Sequence, residues 1–205
     1  MKERQINYYE EIHKEDPDYG NTSVKNLRLI MPNIIMLKPQ SIVDYGCGKG
    51  NLLDEVGKKL SLKKTTKYDP AIPLFSREIE GSHDLLINID VLEHVPENEI
   101  DDLLLKMKKV ADNYLFIIDL APADLILPDG SNAHCTLKTK DWWSNKLESH
   151  FGKMYSHPTL RSTRAGFKSW KVADNPINAL RYIILRSYFL IRYYYFRIFF
   201  NRKNF

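Results

Sequence analysis

The chain is poor in cysteine, with only Cys47 and Cys135 in 205 residues. Two thiols cannot build a disulfide framework, so the expectation is a reducing compartment, the cytoplasm. Acid is missing from one end altogether. Residues 181–205 hold six basic side chains (Arg181, Arg186, Arg192, Arg197, Arg202 and Lys203) and no acidic one. Setting those six aside leaves 24 basic against 26 acidic side chains over residues 1–180, a net of −2. The overall +4 therefore belongs to a tail, and composition does not support a nucleic-acid-binding body. The opening MKERQINYYEEIHKED has no apolar core, so no signal peptide is expected. Internal repeats are lacking too.

What is present suits one globular domain plus an appendage: 43% apolar and 27% charged residues. Residues 16–20 (DPDYG) carry a turn signal. Residues 23–37 place apolar side chains at helical spacing, with Pro32 expected to break or kink the run. Residues 41–44 read as a buried strand and 51–60 as a helix. A short strand follows at 65–69, stopping at Pro70. Residues 71–82 are too few for a full helix and strand, so that crossover is abbreviated. Residues 83–89 and 114–119 are apolar strands around an amphipathic helix at 97–110, and a further helix covers 141–151. Strands apolar on both faces, alternating with helices, predict an α/β domain. Its Rossmann-like, doubly wound, mostly parallel sheet carries helices on both faces, and ligands sit beyond the strand C-termini.

The segment Asp44-Tyr45-Gly46-Cys47-Gly48-Lys49-Gly50 lies between a strand and a helix. It fits neither G-x-G-x-x-G nor the phosphate-loop lysine pattern. Asp69 ends the next strand, 25 residues after Asp44, where a carboxylate could accept hydrogen bonds from a ribose diol. IVDYGCGKGNLL, YDP and DLLINIDVLEHVP together resemble the class I S-adenosylmethionine-dependent methyltransferases over roughly residues 19–151. The resemblance implies S-adenosylmethionine as cofactor. It also implies roles: the backbone of Gly46, Cys47 and Gly48 against the methionine part, Asp44 orienting its amino group, Asp69 on the ribose hydroxyls and Asp90 lining the pocket. The abbreviated 71–82 segment leaves the adenine-contacting residue unidentified.

Methyl transfer to a hydroxyl needs a base to take the proton. The candidates are His94 and His134, each of which has a purely structural alternative: bonding backbone at a helix start, or organising its own loop. Trp142 and Trp143 read either as a platform for a sugar ring or as core. The stretch LPDGSNAHCTLKTKDWW resembles a loop of bacterial methyltransferases of surface-sugar and small-molecule biosynthesis. Asp90, Glu93, His94 and His134 also form an oxygen and imidazole set able to hold a divalent metal, which is not the favoured reading. A similar E-x-x-E-H arrangement occurs in metal-dependent methyltransferases of quinone biosynthesis and of small-RNA ends, with Asp90 here in place of the first Glu. The expected acceptor is a hydroxyl on a sugar or other small molecule, lipid-linked or membrane-presented in one version. The alternatives are RNA methylation and a non-catalytic membrane-associated binding protein.

The expected organisation is a methyltransferase domain with an N-terminal cap (1–151), a connecting or lid segment (152–176) and a basic aromatic helix (177–205). The last segment holds 10 of the 24 aromatic residues within positions 181–205. Its arginines fall mid-segment, where each costs about 2.5–3.5 kcal/mol near a bilayer centre, so spanning is disfavoured. It reads as an address for an anionic membrane surface, at the inner face of the membrane, or as a surface for packing and homodimerisation.

Overall fold

The computed structural model describes residues 3–15 and 22–200; the turn expected at 16–20 and the basic residues Arg202 and Lys203 lie outside them. The chain runs α1 (Glu3–Glu15), α2 (Leu27–Leu37), β1 (Ser41–Tyr45), α3 (Asn51–Lys59), β2 (Lys64–Tyr68), β3 (Leu85–Ile89), α4 (Glu97–Lys108), β4 (Tyr114–Asp119), α5 (Lys140–Phe151), β5 (Tyr155–His157), β6 (Arg164–Lys168) and α6 (Pro176–Phe200). One six-stranded sheet has the order β2-β1-β3-β4-β6-β5. The first four strands in that order pair in parallel, and β6 joins β4 antiparallel with β5 outside it. The expected mostly parallel α/β architecture is what forms.

The alternation along each central strand makes the two faces. Ile42, Leu85, Ile87, Leu115 and Ile117 pack with α2, α3 and Phe189 of α6. Val43, Leu86, Phe116 and Ile118 pack with α4 and α5 on the other side. Every residue of β3 and β4 is buried, as expected of strands covered on both faces. The edge strand β2 departs from that expectation. Its KTTKY sequence leaves Lys64 and Thr65 exposed and the rest half-buried, because among the described residues no strand lies along one of its long sides.

Pro32 sits inside α2 without ending it. A proline costs a helix about 3 kcal/mol by removing a donor. Seven buried residues of α2, Leu27 and Ile30 among them, outweigh that, and Asn33 Nδ2 donates to the Leu29 carbonyl at 2.9 Å. The crossover at 71–82 is indeed short, holding only a 3₁₀ turn at Pro73–Phe75. Residues 152–176, expected as a connection or lid, instead contribute β5 and β6 to the sheet. The charged ends of β6 are sequestered: Arg164 pairs with Asp90 and Asp119, and Lys168 Nζ donates to the Ser156 carbonyl. The long α6 lies on α2. Arg28 stacks 3.7 Å from the centre of the Tyr193 ring, and Asn33 Nδ2 reaches the Tyr182 hydroxyl at 3.4 Å.

Candidate active site

The loops leaving β1, β2, β3 and β4 all open at the C-terminal edge of the parallel strands. They enclose a cleft of ≈ 480 Å³, lined by Gly46, Gly48, Asp69, Asp90, His94 and His134 among others. The crossovers run to opposite sides of β1, so the cleft lies at the switch point where this fold places ligands.

The glycine loop is held to the next strand. The Gly46 and Cys47 amides both donate to the Tyr68 carbonyl, at 2.7 and 3.0 Å. The Gly48 amide donates to Asp69 Oδ2 at 2.8 Å, and Ala71 N to Oδ1 at 2.9 Å. Asp69 therefore shapes the loop and still has acceptor capacity, since each carboxylate oxygen carries two lone pairs. Gly46 takes φ +82°, and a Cβ there would lie 2.3 Å from Val91 Cγ2. That position demands glycine for its backbone and for its proximity to the β3 loop alike.

Asp44 and Cys47 stand behind the loop and do not line the cleft. Asp44 is fully buried with Oδ2 lacking a hydrogen-bond partner. Burial first, and then the negative charge of Asp69, push its carboxyl up to about 7. Burial likewise holds the Cys47 thiol well above its ordinary range, with Asp44 and Asp69 adding to the effect. A thiol so placed stays protonated and is no nucleophile.

On the opposite wall, Asp90 adopts φ 58°, left-handed for a non-glycine residue. Its carboxyl is raised by burial, against the lowering effect of Arg164 at 3.2 Å. Asp119, at the end of β4, takes Arg164 Nε at 3.1 Å. Glu93 is completely buried; its Oε1 accepts from the Asp119 amide at 3.0 Å while Oε2 has no partner. Burial, reinforced by Asp90, holds it well above the usual carboxylate range.

The rings of His94 and His134 meet edge-to-face, 4.6 Å between centres. His94 Nδ1 faces the Ala133 carbonyl at 3.0 Å and the Tyr9 hydroxyl at 2.9 Å. His134 Nδ1 faces the Ala121 carbonyl at 2.6 Å. A carbonyl only accepts, so each Nδ1 carries a proton, and in the neutral form of either ring the lone pair lies on Nε2. Burial, then the neighbouring His134, lower the His94 imidazole to about 4, which leaves it neutral at physiological pH.

Trp142 and Trp143 do not face this cleft. Trp143 is fully buried in the α4–α5 layer, and Trp142 packs beside it under Lys138 and Lys146. The core alternative is the one realised, because the apolar side of α5 needs both rings. Arg164, Asp119 and Tyr9 were missed by sequence reasoning. Only Asp119 carried a signal, as an acid ending an apolar strand.

A methyltransferase-domain family model matches residues 24–172. The chain belongs to the class I S-adenosylmethionine-dependent methyltransferases. Among solved structures, the methyltransferase domain of bacterial CtHen1-CN is 16% identical, covering 71% of this chain and 98% of its own, with a TM-score of 0.53. Mitomycin 7-O-methyltransferase MmcR is 13% identical over 78% of this chain and 59% of its own, with a TM-score of 0.56. Human N-acetylserotonin methyltransferase, solved with S-adenosylmethionine, is 15% identical over 80% and 56%, with a TM-score of 0.52. This methyltransferase thus spans little more than half of the latter two. A search of curated proteins finds no match.

Membership of this family makes S-adenosylmethionine the cofactor of this methyltransferase. The residues present fit it: a glycine loop with no room for a Cβ at Gly46 and a carboxylate with spare acceptor capacity at Asp69, both on the cleft wall. Glu93, His94 and His134 bring one ligand atom each to within 4.8 Å of one another.

Proposed function

We propose that this methyltransferase methylates a hydroxyl on a sugar or other small molecule, with His134 as the base. The observation that carries this reading is the pair of imidazoles on the cleft wall, each with Nδ1 engaged by a backbone carbonyl. That arrangement leaves Nε2 as the basic atom on both rings, which is what proton removal from a hydroxyl requires.

In this reading Gly46 and Gly48 receive the methionine part, Asp44 shapes the loop from behind it, Asp69 accepts from the ribose hydroxyls and Asp90 closes the pocket wall. When bound, the cofactor supplies an electrophilic methyl group on a sulfonium. The protein's work is then largely positional, because in-line displacement gains most of its rate from holding donor and acceptor together. The acceptor hydroxyl sits against His134 Nε2, which takes its proton. His94 stays neutral, so it does not repel the imidazolium forming 4.6 Å away. Tyr9, hydrogen-bonded to His94, brings α1 over the cleft as a cap that limits water.

A second reading has a specific observation behind it. Glu93, whose Oε2 is unpartnered, brings a carboxylate oxygen to within 4.8 Å of a nitrogen of His94 and of His134, a donor set suited to a divalent cation that would lower the pKa of the acceptor hydroxyl. Incubation of the protein with methyl-labelled cofactor and fractionated cell extract, followed by mass analysis, tests the proposal. The expected product is a labelled small molecule, reduced about 10²–10⁴-fold by His134→Ala with cofactor affinity unchanged. Turnover that needs added metal and is lost with Glu93→Gln selects the second reading. Label destroyed by ribonuclease, or no labelled product at all, refutes both.

A further inference from the structure

Among the described residues, the outer face of α6 keeps a row of large apolar side chains exposed, and its make-up selects a partner for them. At 100° per residue, Arg181 and Arg192 lie within about 20° of each other around the helix, and Arg186 and Arg197 do likewise. These two rails divide the helix into an inner arc of about 120° and an outer arc of about 200°. The inner arc carries Phe189 and Tyr193, both buried against α2. The outer arc carries no charged residue at all. Along it run Ile177, Leu180, Ile184, Ile191 and Ile198, with 59–79% of their surface exposed. That apolar ridge is about 30 Å long at 1.5 Å per residue.

We propose that α6 docks the methyltransferase on an anionic lipid bilayer, ridge inward and arginine rails at the level of the headgroups. Arginines about 100–120° from the ridge centre sit at the sides of a helix half-sunk in the interface. From there the guanidinium groups reach lipid phosphates while their stems lie along the acyl boundary. Among the described residues no helix is long and apolar enough to cross a membrane, so the contact is with the surface. A second copy of the chain does not suit the same face. Pairing two ridges would bring rail against rail, with no acidic residue anywhere in α6 to neutralise them. A nucleic acid would satisfy the rails and leave the isoleucine ridge in water. Only an anionic bilayer offers both a negative surface and an apolar layer beneath it.

Flotation of the full chain with vesicles tests this. One set is phosphatidylcholine alone and the other an equal mixture of phosphatidylcholine and phosphatidylglycerol. Binding is expected to the mixed vesicles and to weaken with salt. Each arginine removed should lower partitioning about 5-fold, so Arg181→Gln with Arg186→Gln should lower it about 25-fold. Ile191→Glu should abolish it. All three side chains are exposed, so circular dichroism and cofactor affinity should match the parent in every variant. Equal binding to both vesicle types overturns the proposal, as does flotation unaffected by Ile191→Glu. Failure to float, combined with a self-association that Ile191→Glu abolishes, would assign the face to a second copy instead.

Discussion

Replacing Gly46 with alanine separates two demands that the glycine loop makes at one position. The backbone there is at φ +82°, and an alanine in such a conformation costs about 1–2 kcal/mol. The added Cβ would also lie 2.3 Å from Val91 Cγ2, a contact that forces the β3 loop to move. Overpacking of that kind costs about 1–3 kcal/mol. The sum, ~2–5 kcal/mol, corresponds to a fall in Tm of roughly 5–20 °C for a chain of this size. Two other glycines supply controls. Gly130 has the same φ of +82° with nothing within 4 Å of its Cβ direction, so Gly130→Ala should show the backbone cost alone. Gly57, within α3, has open space and no positive φ, so Gly57→Ala should stabilise by about 0.5–1 kcal/mol. Adding Val91→Ala to Gly46→Ala should return the double variant to near Gly130→Ala. Thermal melts by circular dichroism give the stabilities, and cofactor titration by calorimetry reports the loop. If Gly46→Ala melts no lower than Gly130→Ala, the closeness of Val91 is wrong, and with it the rigid coupling of the two loops across the cleft.

Asp44→Asn should trade stability against binding. The carboxyl is pushed to about 7, above its ordinary value, so its stabilising contribution is fully present at low pH and is lost as pH rises toward 7. The amide variant should therefore be more stable to unfolding than the parent at pH 8 by about 2–4 kcal/mol, with no gain at pH 4, while binding S-adenosylmethionine at least about 10-fold more weakly. His157 moves the other way: burial, and then Lys168, hold it down to about 3. Its contribution is full above about 6.5 and is lost as pH falls, at ~1.4 kcal/mol per pH unit. Urea unfolding across that range should show His157→Gln with an acid limb shallower by one proton, and an unchanged slope would count against a neutral buried imidazole.

The central sheet was readable because β1, β3 and β4 are short apolar runs, and a strand buried on both faces must be. The glycine loop and Asp69 were readable for a different reason, since their spacing places them at adjacent strand ends. β5 and β6 were not. β5 has three residues, and β6 (RAGFK) has charged ends that look solvated until Arg164 is seen to meet Asp90 and Asp119. The cleft shows the same division. His94 and His134 announce themselves by type, whereas Tyr9 reaches His94 from 85 residues away, a separation no local pattern records. For α6 the helix and its arginines were visible, but the two rails had no meaning before α2 was seen to cover the arc between them.

The abbreviated crossover after β2 has a consequence for how the molecule behaves in a crowd of its own kind. Among the described residues no strand lies beyond it, so β2 ends the sheet and offers its backbone along one side as a template for another chain. Two of its five residues are lysines. Lys64 is tied to the Glu80 carbonyl at 2.7 Å and Lys67 to Asp54 at 2.7 Å. An incoming strand would have to strip both ties and bury two ammonium groups. The polar, lysine-bearing composition of KTTKY, which made β2 the least conspicuous of the parallel strands, is what keeps the sheet from growing past its own chain.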